Sequence, residues 1–144
     1  MALYRHILLA LDLSAEDQRL LQRAADLCTL CGARLSLLHV ITQPSLGYVS
    51  EFPVSEEIGL RQDLQEQAEV ELAQRAGQLD GVQVDWHVAS GSVRHEIERL
   101  AEGLGVDLIM LGSHGRHGLR LLLGSTTDGV LHLACCDVLA VRHA

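Results

Sequence analysis

At 144 residues the chain suits one domain, residues 1–144, able to bury roughly two-thirds of its unfolded surface without disulfides or metals. Hydrophobic residues make up 48% and aromatics 3%, so the core must be built from Leu, Val, Ile and Ala. A net charge of -8 argues against a nucleic-acid or anionic-membrane surface, and all 11 basic residues are Arg. The absence of lysine excludes a Walker-type phosphate loop and Schiff-base chemistry.

Arg5 to Leu11 is, after a polar start, a continuous apolar run, the pattern of a strand buried on both faces. Its core, Ile7 to Leu11, is too short for a signal peptide or a membrane span, which implies a cytoplasmic protein with reduced cysteines. Ser14 has capping-box spacing to Asp17, and Leu20, Leu21, Ala24, Ala25, Leu27, Cys28 and Cys31 recur at helical intervals until Gly32. Arg34 to Ile41 reads as a second strand. Thr42 to Val54 holds both prolines and reads as an irregular connection. From Ser55 a helix is expected, with Leu60, Leu64, Ala68, Leu72, Ala76 and Leu79 on its buried face.

Val82 to Ala89 predicts a third strand, and Gly91-Ser92 turns the chain into a helix with Val93, Ile97, Leu100, Ala101 and Leu104 inward. Asp107 to Leu111 predicts a fourth strand, a helix follows Ser125 through Val130, Leu131 and Ala134, and Asp137 to Arg142 a fifth strand. Strands that alternate with helices and are apolar throughout predict a doubly wound α/β domain, a parallel sheet with helices on both faces. In that architecture Asp12, the residues after Ile41, Gly91 and the segment after Leu111 share the crevice at the carboxyl ends of the strands.

The segment after Leu111 is the most informative stretch. Gly112, Gly115, Gly118 and Gly124 fall within thirteen residues, and its only charged side chains are Arg116 and Arg120. Glycines allow a ligand close to backbone amides, and the helix beginning at Ser125 offers an N-terminus to an anion, with Asp128 in capping-box spacing. The same residues also serve as ordinary loop punctuation. Asp12 can meet a ribose, hold a metal or cap the turn that follows it.

Taken together, Tyr4 to Ser14, Leu37-Leu38-His39-Val40, Asp107 to Gly115 and Cys136 to Arg142 resemble the universal stress protein family over nearly the whole chain. The resemblance implies a Rossmann-like domain of the adenine nucleotide alpha hydrolase-like kind, a five-stranded parallel sheet of order 3-2-1-4-5, and a homodimer built through the last strand. It also implies an adenine nucleotide, ATP above all, bound with little or no hydrolysis and with Mg²⁺ as an optional companion. The matching positions are Asp12 at the nucleoside, Val40 against adenine, and Gly112, Gly115, Gly124, Ser125 and Thr126 at ribose and phosphates. Ala10, Leu11, Leu111, His114 and Arg116 flank them.

Two departures point elsewhere. ATP-binding relatives place nine residues between Gly-x-x-Gly and Gly-Ser, whereas here only Arg116 to Leu123, eight residues, lie between. Leu13-Ser14 and the proline-bearing stretch resemble the branch that lacks the nucleotide pattern. The alternative is thus a dimeric interaction or signalling scaffold that binds no nucleotide and acts through an unknown protein partner.

Other pairs carry less. His114 and His117 lack the further ligands a stable zinc site needs. Cys28-Thr29-Leu30-Cys31 has redox spacing but sits late in a helix rather than after a strand, and Cys135-Cys136 reads as two buried thiols. A receiver domain would need a lysine.

Overall fold

Aliphatic strands without polar alternation are stable only where helices cover both faces of a sheet. The computed structural model describes residues 3–42, 54–113, 129–132 and 134–142. Its elements are β1 (His6–Ala10), α1 (Asp17–Cys31), β2 (Arg34–Ile41), α2 (Val54–Gly77), β3 (Val84–Ser90), α3 (Val93–Leu104), β4 (Leu108–Gly112) and β5 (Asp137–Val141). The strands form one parallel sheet of five in the order β3-β2-β1-β4-β5, as expected.

Alternating side chains divide the core in two. On one face Ile7, Leu9, Leu35, Leu37, Leu108 and Met110 pack with Leu20, Leu21 and Ala24 of α1 and Leu72 of α2. On the other, Leu8, Leu38, Val40, Ile109 and Leu111 pack with Ile97 and Ala101 of α3 and with Val130, in the helical residues 129–132. α1 stops at Gly32, whose φ of 70° a side chain would resist and whose amide bonds Cys28 O. No helix among the described residues is long and apolar enough to cross a membrane.

Four expectations need correction. α1 begins at Asp17 rather than after a Ser14 cap, because Leu13 takes a left-handed φ of 60° and the next residues form a turn in which Asp17 N–H donates to Ser14 O. Only the later part of the α2 stripe is buried: Ala68 and Leu72 are covered, but Leu60 is 58% and Leu64 41% exposed. A helix of 24 residues runs about 36 Å at 1.5 Å per residue, whereas the seven-residue β3 it packs on spans roughly 23 Å at 3.3 Å per residue, so part of it outruns the sheet.

Nor are the two outer strands apolar and buried throughout: β3 holds only half-buried and exposed residues, and β5 alternates exposed and half-buried residues before the buried Val141, as edges lacking a second neighbour allow. Finally, Cys135 is exposed and Cys136 half-buried rather than both buried, while Cys28 is buried as expected; all four thiols are free.

Candidate functional site

Strand order reverses direction between β1 and β4, so the crevice outside their carboxyl ends is where an open α/β sheet receives a ligand. β1 and β4 pair through Leu9 and Met110, which brings the next residues, Ala10 and Leu111, side by side. β2 lies on the other flank of β1, pairing Ala10 with Leu38, two positions before Val40.

Side-chain parity then sorts the expected contacts. Ala10, Val40 and Leu111 all pack into the cluster on the α3 side of the sheet, together with Val93, Ala89 and Val130. They form an apolar wall at the strand ends. Leu11, one residue on, faces the opposite cluster, and its backbone is engaged on both sides: its N–H donates to Leu38 O at 2.8 Å and its carbonyl accepts from His39 Nδ1 at 2.9 Å. Because a carbonyl only accepts, the hydrogen of neutral His39 resides on Nδ1 and Nε2 keeps its lone pair. Asp12 follows, partly exposed, before the chain turns back at Leu13.

At the end of β4, Gly112 is partly exposed, and Ser113 N–H donates to Val141 O at 2.9 Å, tying the strand end to β5. The Ser113 side chain is buried and its Oγ has no hydrogen-bond partner among the described residues. His114, Gly115, Arg116, Gly124, Ser125 and Thr126 lie outside the described residues, as do His117, Gly118, Arg120, Asp128 and most of Thr42 to Val54.

Just beneath this rim, Asp17 in the first turn of α1 is buried against Arg75 of α2, with Oδ2 2.8 Å from Nε. Burial pushes the Asp17 carboxyl up to about 6; the Arg75 guanidinium opposes the shift and the Asp12 charge adds to it. Its Oδ1 has no hydrogen-bond partner among the described residues. Among the described residues no three His, Cys, Asp or Glu side chains gather closely enough to hold a metal ion.

From sequence, His39 figures only within the Leu37 to Val40 motif and has no role. The available signal was strand parity, since His39 precedes Val40 and must therefore face the side where α1 packs.

Comparison with known proteins agrees with this architecture. The universal stress protein family model matches residues 3–142. Universal stress protein A homolog 1 of Coxiella burnetii is 40% identical over 138 residues, covering 96% of both chains. The solved structure of MJ0577, a universal stress protein of Methanocaldococcus jannaschii, has a TM-score of 0.84 at 32% identity and covers 99% of each chain. A universal stress protein solved in complex with cAMP shares the fold at a TM-score of 0.63 and 23% identity, covering 96% of each chain. A doubly wound domain with its crevice between β1 and β4 is the class this chain presents. The chain belongs to the universal stress protein family.

Proposed function

We propose that this chain is a nucleotide-sensing module that binds ATP or another adenine nucleotide at the β1–β4 crevice, with little or no hydrolysis. The observation that carries the reading is the shared placement of Ala10, Val40 and Leu111, three apolar side chains on one face at the strand ends. An adenine ring needs such a wall, and Asp12 beside it supplies a carboxylate for the ribose hydroxyls or for a Mg²⁺ ion that accompanies the phosphates. Gly112, with Gly115, Gly124, Ser125 and Thr126, would take the phosphates, and His114 and Arg116 would border them. Leu11 would act as an anchor of the wall through its bonds to Leu38 and His39. A cAMP complex of a relative with the same fold supports an adenine ligand.

Calorimetry with ATP, ADP, AMP and GTP, each with and without Mg²⁺, tests the reading, with Gly115→Val as the variant that should block backbone approach. Micromolar ATP binding lost in the variant supports it. No binding at millimolar nucleotide overturns it.

β5 is an outer strand and its Leu139 is 39% exposed, which supports a homodimer joined there. Sedimentation of Leu139→Arg tests this; an unchanged mass overturns it. Exposed Leu60 and Leu64 of α2 favour a second reading, a scaffold that engages a protein partner without nucleotide.

A further inference from the structure

β1 ends at Ala10, yet the chain stays held beyond it. Leu11 N–H donates to Leu38 O at 2.8 Å and so continues the sheet, whereas the Leu11 carbonyl is held by a side chain, His39 Nδ1 at 2.9 Å. That bond joins a partly buried ring on β2 to a backbone atom 28 residues earlier. Its acceptor belongs to the peptide that links Leu11 to Asp12. Because a peptide is planar, fixing the carbonyl fixes the direction in which the chain enters Asp12.

The backbone after Asp12 is constrained as well. Leu13 has a left-handed φ of 60°, alone among the described non-glycine residues. A bulky residue keeps such a conformation only where its surroundings impose it, and residues of this kind gather at ligand sites. Asp12 thus stands, partly exposed, between a peptide clamped by His39 and a turn of high local energy. Its charge is felt by the buried Asp17 carboxyl, which places it near the start of α1. Removing the His39 donor frees the Leu11–Asp12 peptide to rotate and the turn to relax, which displaces Asp12. The paired part of the sheet, His6 to Ala10 against Arg34 to Leu38, does not use this bond and stays intact.

We infer that His39 is a positioning residue of the crevice, which sets the affinity for a nucleotide by holding the Leu11–Asp12 peptide in place. The inference rests on the nucleotide-binding reading, in which Asp12 meets the nucleoside. It puts one determinant of affinity on the Leu11 side of the sheet, opposite the apolar wall of Ala10, Val40 and Leu111. The side-chain amide of Asn lies the same number of bonds from Cβ as Nδ1 of His, so Asn can keep the bond, whereas Phe keeps a ring and cannot donate.

The test measures ATP binding to the full chain by calorimetry for the native protein, His39→Asn, His39→Phe, Asp12→Ala and the double variant Asp12→Ala with His39→Phe, with circular dichroism to confirm folding. The expected result is a loss of roughly tenfold in His39→Phe, the size of one hydrogen bond to a charged group, and near-native affinity in His39→Asn. Adding His39→Phe to Asp12→Ala should change the affinity by no more than about twofold, since the two residues act as a unit. Native affinity in His39→Phe overturns the role of His39 and leaves the nucleotide reading standing. An equal fractional loss in the native and Asp12→Ala backgrounds also overturns it, because a merely structural residue would act whether or not the carboxylate is there. So does a His39→Asn variant as weak as His39→Phe. Should His39→Phe fail to fold, His39→Gln takes its place, because its amide lies one bond further from the backbone and misses the carbonyl. No ATP binding by the native protein overturns the nucleotide reading and this role with it.

Discussion

Arg75 near the end of α2 reaches Asp17 at the start of α1 and closes a 2.8 Å ion pair across 58 residues of sequence. The Asp17 side chain is 1% exposed, so the pair is a buried clamp between two helices on the same side of the sheet. Arg75→Met keeps the stem but strands the carboxylate, and a loss of about 3 kcal/mol is expected at pH 8. Urea denaturation at pH 8 and pH 5 measures it. The loss should shrink at pH 5, where a lone buried carboxyl is neutral; an equal loss at both values would sink the account.

The same carboxyl makes folding sensitive to acid. Its folded-state value of about 6 lies above the ordinary 3.8, so the folded chain takes the proton more readily than the unfolded one. Its contribution to stability therefore rises as the pH falls through 6 toward 4. Asp17→Asn should flatten this part of the stability profile, and a profile identical to the native one counts against it.

His6 works in the opposite sense. Its buried ring shares a 2.7 Å hydrogen bond with Ser36, and burial, helped by the Arg34 charge, holds its value below the usual 6.5. The unfolded chain then binds the proton first, so this contribution is complete above pH 6.5 and is lost as the pH falls below it. In the Asp17→Asn background, denaturation midpoints should drop between pH 8 and 5.5, and adding His6→Gln should reduce that slope.

The four thiols should react in order of access. Cys135 is exposed, burial raises Cys136, and burial pushes Cys28 up to about 11, where almost no thiolate exists at neutral pH. Maleimide labelling at pH 7.5 followed by mass spectrometry should mark Cys135 first and Cys28 only after denaturation. Early labelling of Cys28 would contradict its placement.

Along α2, stability should depend on which part of the helix is altered. Leu72→Ala removes a fully buried side chain and should cost about 2–5 kcal/mol, whereas Leu60→Ala should stay within about 0.5 kcal/mol. Thermal melts of the two variants give the comparison.

The central strands were legible because the aliphatic run Ile7 to Leu11 and the leucine-rich Leu35 to Ile41 fit the middle of a covered parallel sheet. Strand order came with the family resemblance, which the matched family model supports. The overhang of α2 was not legible, since periodicity reports which residues share a face but not where the neighbouring sheet ends. Asp17 was hidden for a related reason: an acidic residue in a first helical turn normally faces water, and nothing local announces a partner 58 positions away. At the crevice, the apolar wall followed from matched positions, whereas parity gave the side His39 faces but not the Leu11 carbonyl that stands there.

Leu11 and Ala10 are adjacent in the chain yet answer to different demands. Leu11 is bound into the folding core with both backbone groups engaged, and Ala10 packs on the opposite face, in the wall proposed for the ligand. Val40 and Leu111 are nevertheless buried against α3, so a substitution on that face also disturbs the core, while the Leu11 and His39 face keeps the strand ends in register. The end of the sheet is thus built so that the residues of the proposed wall cannot change independently of the fold.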